Sequence, residues 1–332
     1  MHRVVTRTLV SFAGALALAA ISAASGWAAE VWVTNMKSAD VYVIDPASLK
    51  VIAIIPADKG AHNVTFSRDG NLAFTANVGA NNVTIIDAVA KKVLSNVVAG
   101  HKAHHVSVSP DGKLAVASNV GTDRITLIDV AKKQAIGTLR TADGAMMSVF
   151  SADGNRLYVA NARDASISVV DVKARKVKRE RPRGVGMAAK EWLPGGKGTM
   201  ALLPTTDWKQ VWATAPAENK IVILDLAKRE RVGEVDVPGE PHGVVFSPDQ
   251  KLLYVVQRKL NQLSIIDVDS RKIVKSASIG KRPDMVAISP DGNSLYVVSR
   301  DENKLLVVSA SGLRVIGEVA VGKEPHGVAY RK

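Results

Sequence analysis

Cysteine is absent from this 332-residue chain, which rules out disulfides, thiolate metal sites and haem attachment through C-x-x-C-H. Aromatic residues make up only 5%, and they do not interleave with the basic ones, so a base-stacking surface is not evident. No segment has convincing helical period, and beyond the N-terminus no apolar run is long enough to span a bilayer. A Gly-x-Ser-x-Gly elbow, a phosphate loop and a nucleophile–base–orienter grouping are missing as well. Acidic residues are the minority charge. Lys and Arg total 44 against 31 Asp and Glu, a formal net charge of +13, which favours anionic partners but argues about association rather than fold.

The first 29 residues read as a secretory signal. Arg3 and Arg7 give a short basic start, Thr8 to Ala24 is mostly apolar and small, and small residues surround Ala28 and Ala29. The expected division is a signal peptide over 1–29 and one domain over 30–332. The mature chain would then be periplasmic or otherwise exported, without a transmembrane span, monomeric, and with a net charge of about +11.

That domain is built on a repeat. His62, His104, Met146, Ala188, His242, Asp284 and His326 occupy one slot, with successive gaps of 42, 42, 42, 54, 42 and 42 residues. A second track, Asp45, Asp87, Asp129, Asp171, Asp225, Asp267 and Ser309, has the same gaps. Self-similarity at this period marks a propeller or solenoid. Within one unit, 64–66, 72–77, 82–87 and 92–97 are short β-rich runs separated by turn signals, hence four strands. Turns such as Ser109 to Gly112 (SPDG) follow the first strand; proline presets one dihedral and glycine supplies positive φ. Their aspartates are explained by turn chemistry.

Residues 31–56 supply only three strands, and 326–330 supply an isolated first strand. Together they make one blade. The fold expected is all-β: a seven-bladed β-propeller of four-stranded antiparallel blades, closed by N-terminal strands plus one C-terminal strand, which leaves no open edge at the seam. The 54-residue gap implies 12 extra residues. Alignment of Val211 to Ala215 with Val31 to Asn35 puts them in the turn after Leu193 to Gly196. The run Lys173 to Arg183 (KARKVKRERPR) reads as a solvated blade edge, or else as a patch for nucleic acid or acidic lipid.

Val31 to Asn35 (VWVTN), Leu157 to Asn161 (LYVAN), the PHGV segments at Pro241 and Pro325, and the Ser-Pro-Asp-Gly turns resemble the YVTN family of β-propeller repeats over residues 31–330. The resemblance implies an exported seven-bladed propeller, commonly a binding or accessory protein. Related propellers include the haem-binding domain of nitrite reductase and lactone-hydrolysing enzymes.

The slot is the candidate site. First strands of a propeller are innermost, so the slot residues converge on one mouth of the central channel. Asn35, Asn77, Asn119, Asn161, Arg258 and Arg300 share that face, with Lys102, Lys281, Arg282 and Lys323 around it. The ligand-binding set is His62, His104, His242, His326, Asp284, Arg258 and Arg300, and His62, His104 and His326 form the candidate metal group. Neutral imidazole suits Zn, Cu, Fe and Ni, so a transition metal, a non-covalent haem-type group or a small anion is the expected occupant. The alternative rests on parity. His62 shares a strand face with Val64 and Phe66, and the Phe66 slot reads Phe, Val, Phe, Trp, Phe, Ile, Tyr, so each histidine would instead bond the next blade.

Three functions follow. The first is an exported non-catalytic binding or accessory propeller, serving a small ligand or a periplasmic redox or transport partner. The second is a metal-dependent lactonase-like hydrolase. The third is a basic platform for nucleic acid or protein.

Overall fold

The computed structural model describes residues 28–177 and 193–332. They form seven antiparallel sheets arranged as a ring of blades. Blade one joins the inner strand Pro325–Arg331 to Glu30–Asn35, Asp40–Asp45 and Lys50–Pro56, as the strand count requires. Blades two and three begin at Ala61–Phe66 and Ala103–Val108. Blades four, six and seven begin at Ala145–Phe150, Pro241–Phe246 and Pro283–Ile288. Among the described residues no helix is long and apolar enough to cross a membrane.

Second and third strands are buried nearly throughout and outer strands are mostly exposed, so apolar cores lie between successive blades. Phe66 of blade two meets Trp32 of blade one edge to face at 5.2 Å, and Phe246 of blade six meets Trp212 of blade five at 5.8 Å. Aromatic edge-to-face pairs of this kind add to the area they bury. At the seam, Arg331 Nη1 donates to Glu30 Oε2 at 2.9 Å and Arg331 Nε to the Gly70 carbonyl at 2.8 Å. Lys91 and Trp32 Nε1 complete the shell of Glu30 at 2.7 and 2.8 Å. Closure thus joins strands from both ends of the propeller and the neighbouring blade.

The 12 extra residues lie elsewhere than the sequence suggests. In blade two the outer strand pairs Asp87 with Lys92 and Asn82 with Val98. In blade four Asp171 pairs with Lys176, but Ser166 pairs with Pro194. That pairing is 12 residues longer than the regular one, so the insertion interrupts the outer strand of blade four between Val177 and Leu193. The inner strand of blade five is Leu202–Pro204, which pairs with 211–213. Its turn is Thr205 to Trp208: Thr205 Oγ1 donates to Asp207 at 2.7 Å, as Ser67 Oγ does to Asp69 at 2.6 Å. Trp208 sits at φ +56°, where blades two, three, four and seven place glycine and blade six places Gln250. A tryptophan in the left-handed region is uncommon, and it hid the turn from sequence alignment.

Counting back from that turn puts Met200 in the blade-five slot. Ala188, the residue expected there, and Trp192 lie outside the described residues, as do residues 1–27 of the expected signal peptide and most of the basic run.

Candidate functional site

The slot residues His62, His104, Met146, His242, Asp284 and His326 each sit at a β-bulge. Ala61 pairs with Asn77 and Asn63 with Ala76, so His62 is one residue too many for its partner strand. The same irregularity spans His104, Met146, His242, Asp284 and His326. A bulge breaks the two-residue alternation and re-aims a side chain. Parity with Val64 and Phe66 therefore does not carry through to the slot, although His242 and His326 do bond the next blade, as the spacing argument expects of each histidine. Phe66 does face the preceding blade. His62 stacks with other imidazoles.

Four imidazoles meet at the mouth. His62 lies between His326 and His104, with ring centroids at 3.6 and 3.9 Å, and His242 meets His326 edge-on at 5.7 Å. Close approach of the blades depends on glycine. A Cβ on Gly243 would stand 2.6 Å from the Asp284 carbonyl oxygen, and one on Gly327 would stand 2.7 Å from Asn63 Cα.

The two sides of this cluster are bonded differently. His242 Nδ1 is 3.0 Å from Asp284 Oδ1 and 3.2 Å from the Asp284 carbonyl oxygen. His326 Nδ1 is 2.9 Å from the His62 carbonyl oxygen, and its Nε2 is 3.5 Å from Asp284 Oδ2. Carbonyl oxygens only accept, so a neutral ring facing one must carry its proton on Nδ1, leaving Nε2 as a lone pair. His62 Nδ1 and His104 Nδ1 are buried and have no hydrogen-bond partner among the described residues.

Burial, reinforced by neighbouring imidazoles, holds His62 and His104 well below the usual histidine range. Burial likewise pushes His326 down to about 4 and His242 to about 3, although the nearby Asp284 opposes it in both. All four rings are neutral at pH 7, the form that binds metals.

Asp284 is completely buried. Burial alone would push its carboxyl up, but His326, His242 and Arg258 outweigh it and hold the group well below the usual carboxylate range. Arg258 Nη2 donates to Oδ1, and Arg300 Nη1 donates to Oδ2 at 3.2 Å. Each arginine has a second carboxylate: Glu240 at 3.4 Å for Arg258 and Glu324 at 3.3 Å for Arg300. These glutamates were missed in the sequence, although both stand in a repeated Glu-Pro-His-Gly-Val segment that begins at Glu240 and Glu324.

The expected ligand residues thus come together, but the donor set differs from the expected metal group. Among the described residues, His242, Asp284 and His326 offer donor atoms all within 4.8 Å of one another. His62, His104 and His326 are instead a column of tilted rings in close contact. Asn35, Asn77, Asn119 and Asn161 are braces: Asn119 Oδ1 accepts from Gly100 N at 3.0 Å while its Nδ2 donates to Thr126 Oγ1 at 3.1 Å. Lys102, Lys281, Arg282, Lys323 and His101 are exposed. The extra His105 is half-buried, and its Nδ1 accepts from Ser148 N of the next blade at 3.5 Å.

Residues 35–274 match the family model described as lactonase, 7-bladed beta-propeller, and residues 247–331 match one described as YNCE-like beta-propeller. No curated protein matches the chain in sequence. A putative 6-phosphogluconolactonase from Bacteroides fragilis is 16% identical with a TM-score of 0.75, covering 92% of this chain and 98% of that one. A chain of Kuenenia stuttgartiensis hydrazine synthase is 19% identical with a TM-score of 0.73, over 85% and 92%. Dihydro-heme d1 dehydrogenase NirN in complex with DHE is 18% identical with a TM-score of 0.65, over 90% and 74%. Identities this low establish a shared fold.

Proposed function

The chain belongs to the lactonase seven-bladed β-propeller family, and from that premise we propose that it is a non-catalytic binding propeller holding one transition-metal ion among the imidazoles of its channel mouth. One observation carries the reading. His242 and His326 each commit Nδ1 to a backbone carbonyl of the neighbouring blade. Such bonds fix the tautomer and ring orientation of metal-ligating histidines and leave Nε2 for the ion. His326 Nε2 is then left as a bare lone pair 3.5 Å from Asp284 Oδ2, an oxygen that accepts from Arg300 Nη1 at 3.2 Å. The basic start and apolar run of residues 3–24 support an exported location for this role.

The family's description favours a second reading, hydrolysis of a lactone with the ion polarising its carbonyl. Against it, Asp284 is the single carboxylate among the slot residues, and both of its oxygens are bonded to arginines. Purified protein should contain, or gain thermal stability from, a late transition metal. It should leave lactones intact in the metal-loaded form. An empty protein that gains no stability from Zn, Cu or haem refutes the binding reading, and metal-dependent lactone turnover moves the assignment to the hydrolase.

A further inference from the structure

Resting on that reading, we propose that Asp284 is the third ligand of a divalent ion, and that Glu240 and Glu324 release it by drawing Arg258 and Arg300 away as the ion enters. His242, Asp284 and His326 offer donor atoms all within 4.8 Å of one another. Two imidazoles with one carboxylate form a donor set for divalent zinc or iron. Both Asp284 oxygens are nevertheless held by guanidiniums, Oδ1 by Arg258 and Oδ2 by Arg300. Ligation and this pairing compete for the same oxygens.

Each arginine is in contact with a second carboxylate that can receive it. Arg258 Nη1 lies 3.4 Å from Glu240 Oε1, and Arg300 Nη2 lies 3.3 Å from Glu324 Oε2. A well-formed charge-assisted bond measures about 2.7–2.9 Å, so both contacts have room to tighten. The Nε atoms of both arginines are buried without a partner among the described residues, so neither guanidinium is fully satisfied where it stands. The glutamates are 27% and 45% exposed and Asp284 is fully buried. The handover therefore moves positive charge outward, away from the entering ion. Three carboxylates against two guanidiniums leave the linked groups with one negative charge, which favours a cation. Because the ion binds only the state with Asp284 released, its apparent affinity follows how readily the arginines leave. Glu240 and Glu324 are positioning residues in this scheme, and Asp284 touches the ion.

Zinc added to the full chain is the probe. Its binding should shift carboxylate bands in difference infrared spectra, and Asp284→Asn should remove most of that change and weaken binding by about 100-fold. Arg300→Gln, which frees Asp284 Oδ2, should tighten zinc binding by about tenfold, and Glu324→Gln should weaken it by about tenfold. With Arg300→Gln in place, Glu324→Gln should change the affinity by less than about twofold, because no arginine remains to be drawn away. A glutamate acting through its field alone would keep its effect in that background. Effects of the two substitutions that simply add overturn the inference. So do carboxylate bands that stay unchanged when zinc binds the wild-type chain, a measurement that needs no variant. A chain that binds copper or haem but no zinc overturns this inference alone. A chain that binds none of the three overturns the metal reading with it.

Discussion

The two halves of the channel mouth use one backbone device for different chemistry. In blades six, seven, one, two and three the bulged slot carries His242, Asp284, His326, His62 and His104, with two arginines gathered on the carboxylate. In blades four and five the slot carries Met146 and Met200; Met146 packs against the apolar core between those blades. The bulge belongs to the repeat, while the polarity of the mouth belongs to individual blades. Duplication alone would have spread histidine evenly, and it would not have placed a carboxylate opposite two arginines.

That contrast predicts unequal responses to substitution. The largest is expected for Asp284→Ala, which strands two mostly buried guanidiniums. We expect a loss of about 3 kcal/mol in urea unfolding, against less than about 1.5 kcal/mol for the volume-conserving Met200→Leu in the other half. Comparable losses for the two would erase the distinction. Next, His326→Ala or His242→Ala should weaken metal binding by about 100-fold in calorimetric titration, with Met146→Leu near wild type. Gly327→Ala should then cost about 1–3 kcal/mol, because the new methyl group would stand 2.6 Å from Thr34 Oγ1 and 2.8 Å from the His62 carbonyl oxygen.

Acid sharpens the same contrast, because the histidines lie on one side of the ring. His105 and His326 are held at about 4 and His242 at about 3 by burial, against an ordinary 6.5. As pH falls below 6.5 the unfolded chain takes up protons that the folded chain refuses, so stability drops between roughly pH 6.5 and 4 and is flat above. His105→Asn should shallow that slope in melting temperatures measured across the range. An unchanged slope in the variant would mean that His105 does not contribute.

Much of the architecture could be read from spacing, because seven blades share a step and the seam blade completes the count. Two features could not. The turn after the inner strand of blade five lacks the Ser-x-Asp-Gly pattern: Thr205 and Trp208 form its bonds with other side chains, so spacing places the insertion in the turn after Leu193 to Gly196 rather than in the outer strand of blade four. The bulge was equally hidden, since it lies in pairing register and leaves composition untouched. Strand alternation then pointed the histidines at a packed face. The arginines were visible as departures from asparagine at the end of second strands. Their glutamate partners lie 18 and 24 residues away in the chain, so only the folded ring brings them together.

His326 lies on the strand that closes the ring, whereas His62 and His104 belong to blades synthesised first. A ribosome therefore delivers the binding group in instalments, and the last arrives with the strand that seals the circle. Under the proposed reading, occupancy of the mouth would report on assembly, because a chain without its closing strand lacks one of the rings.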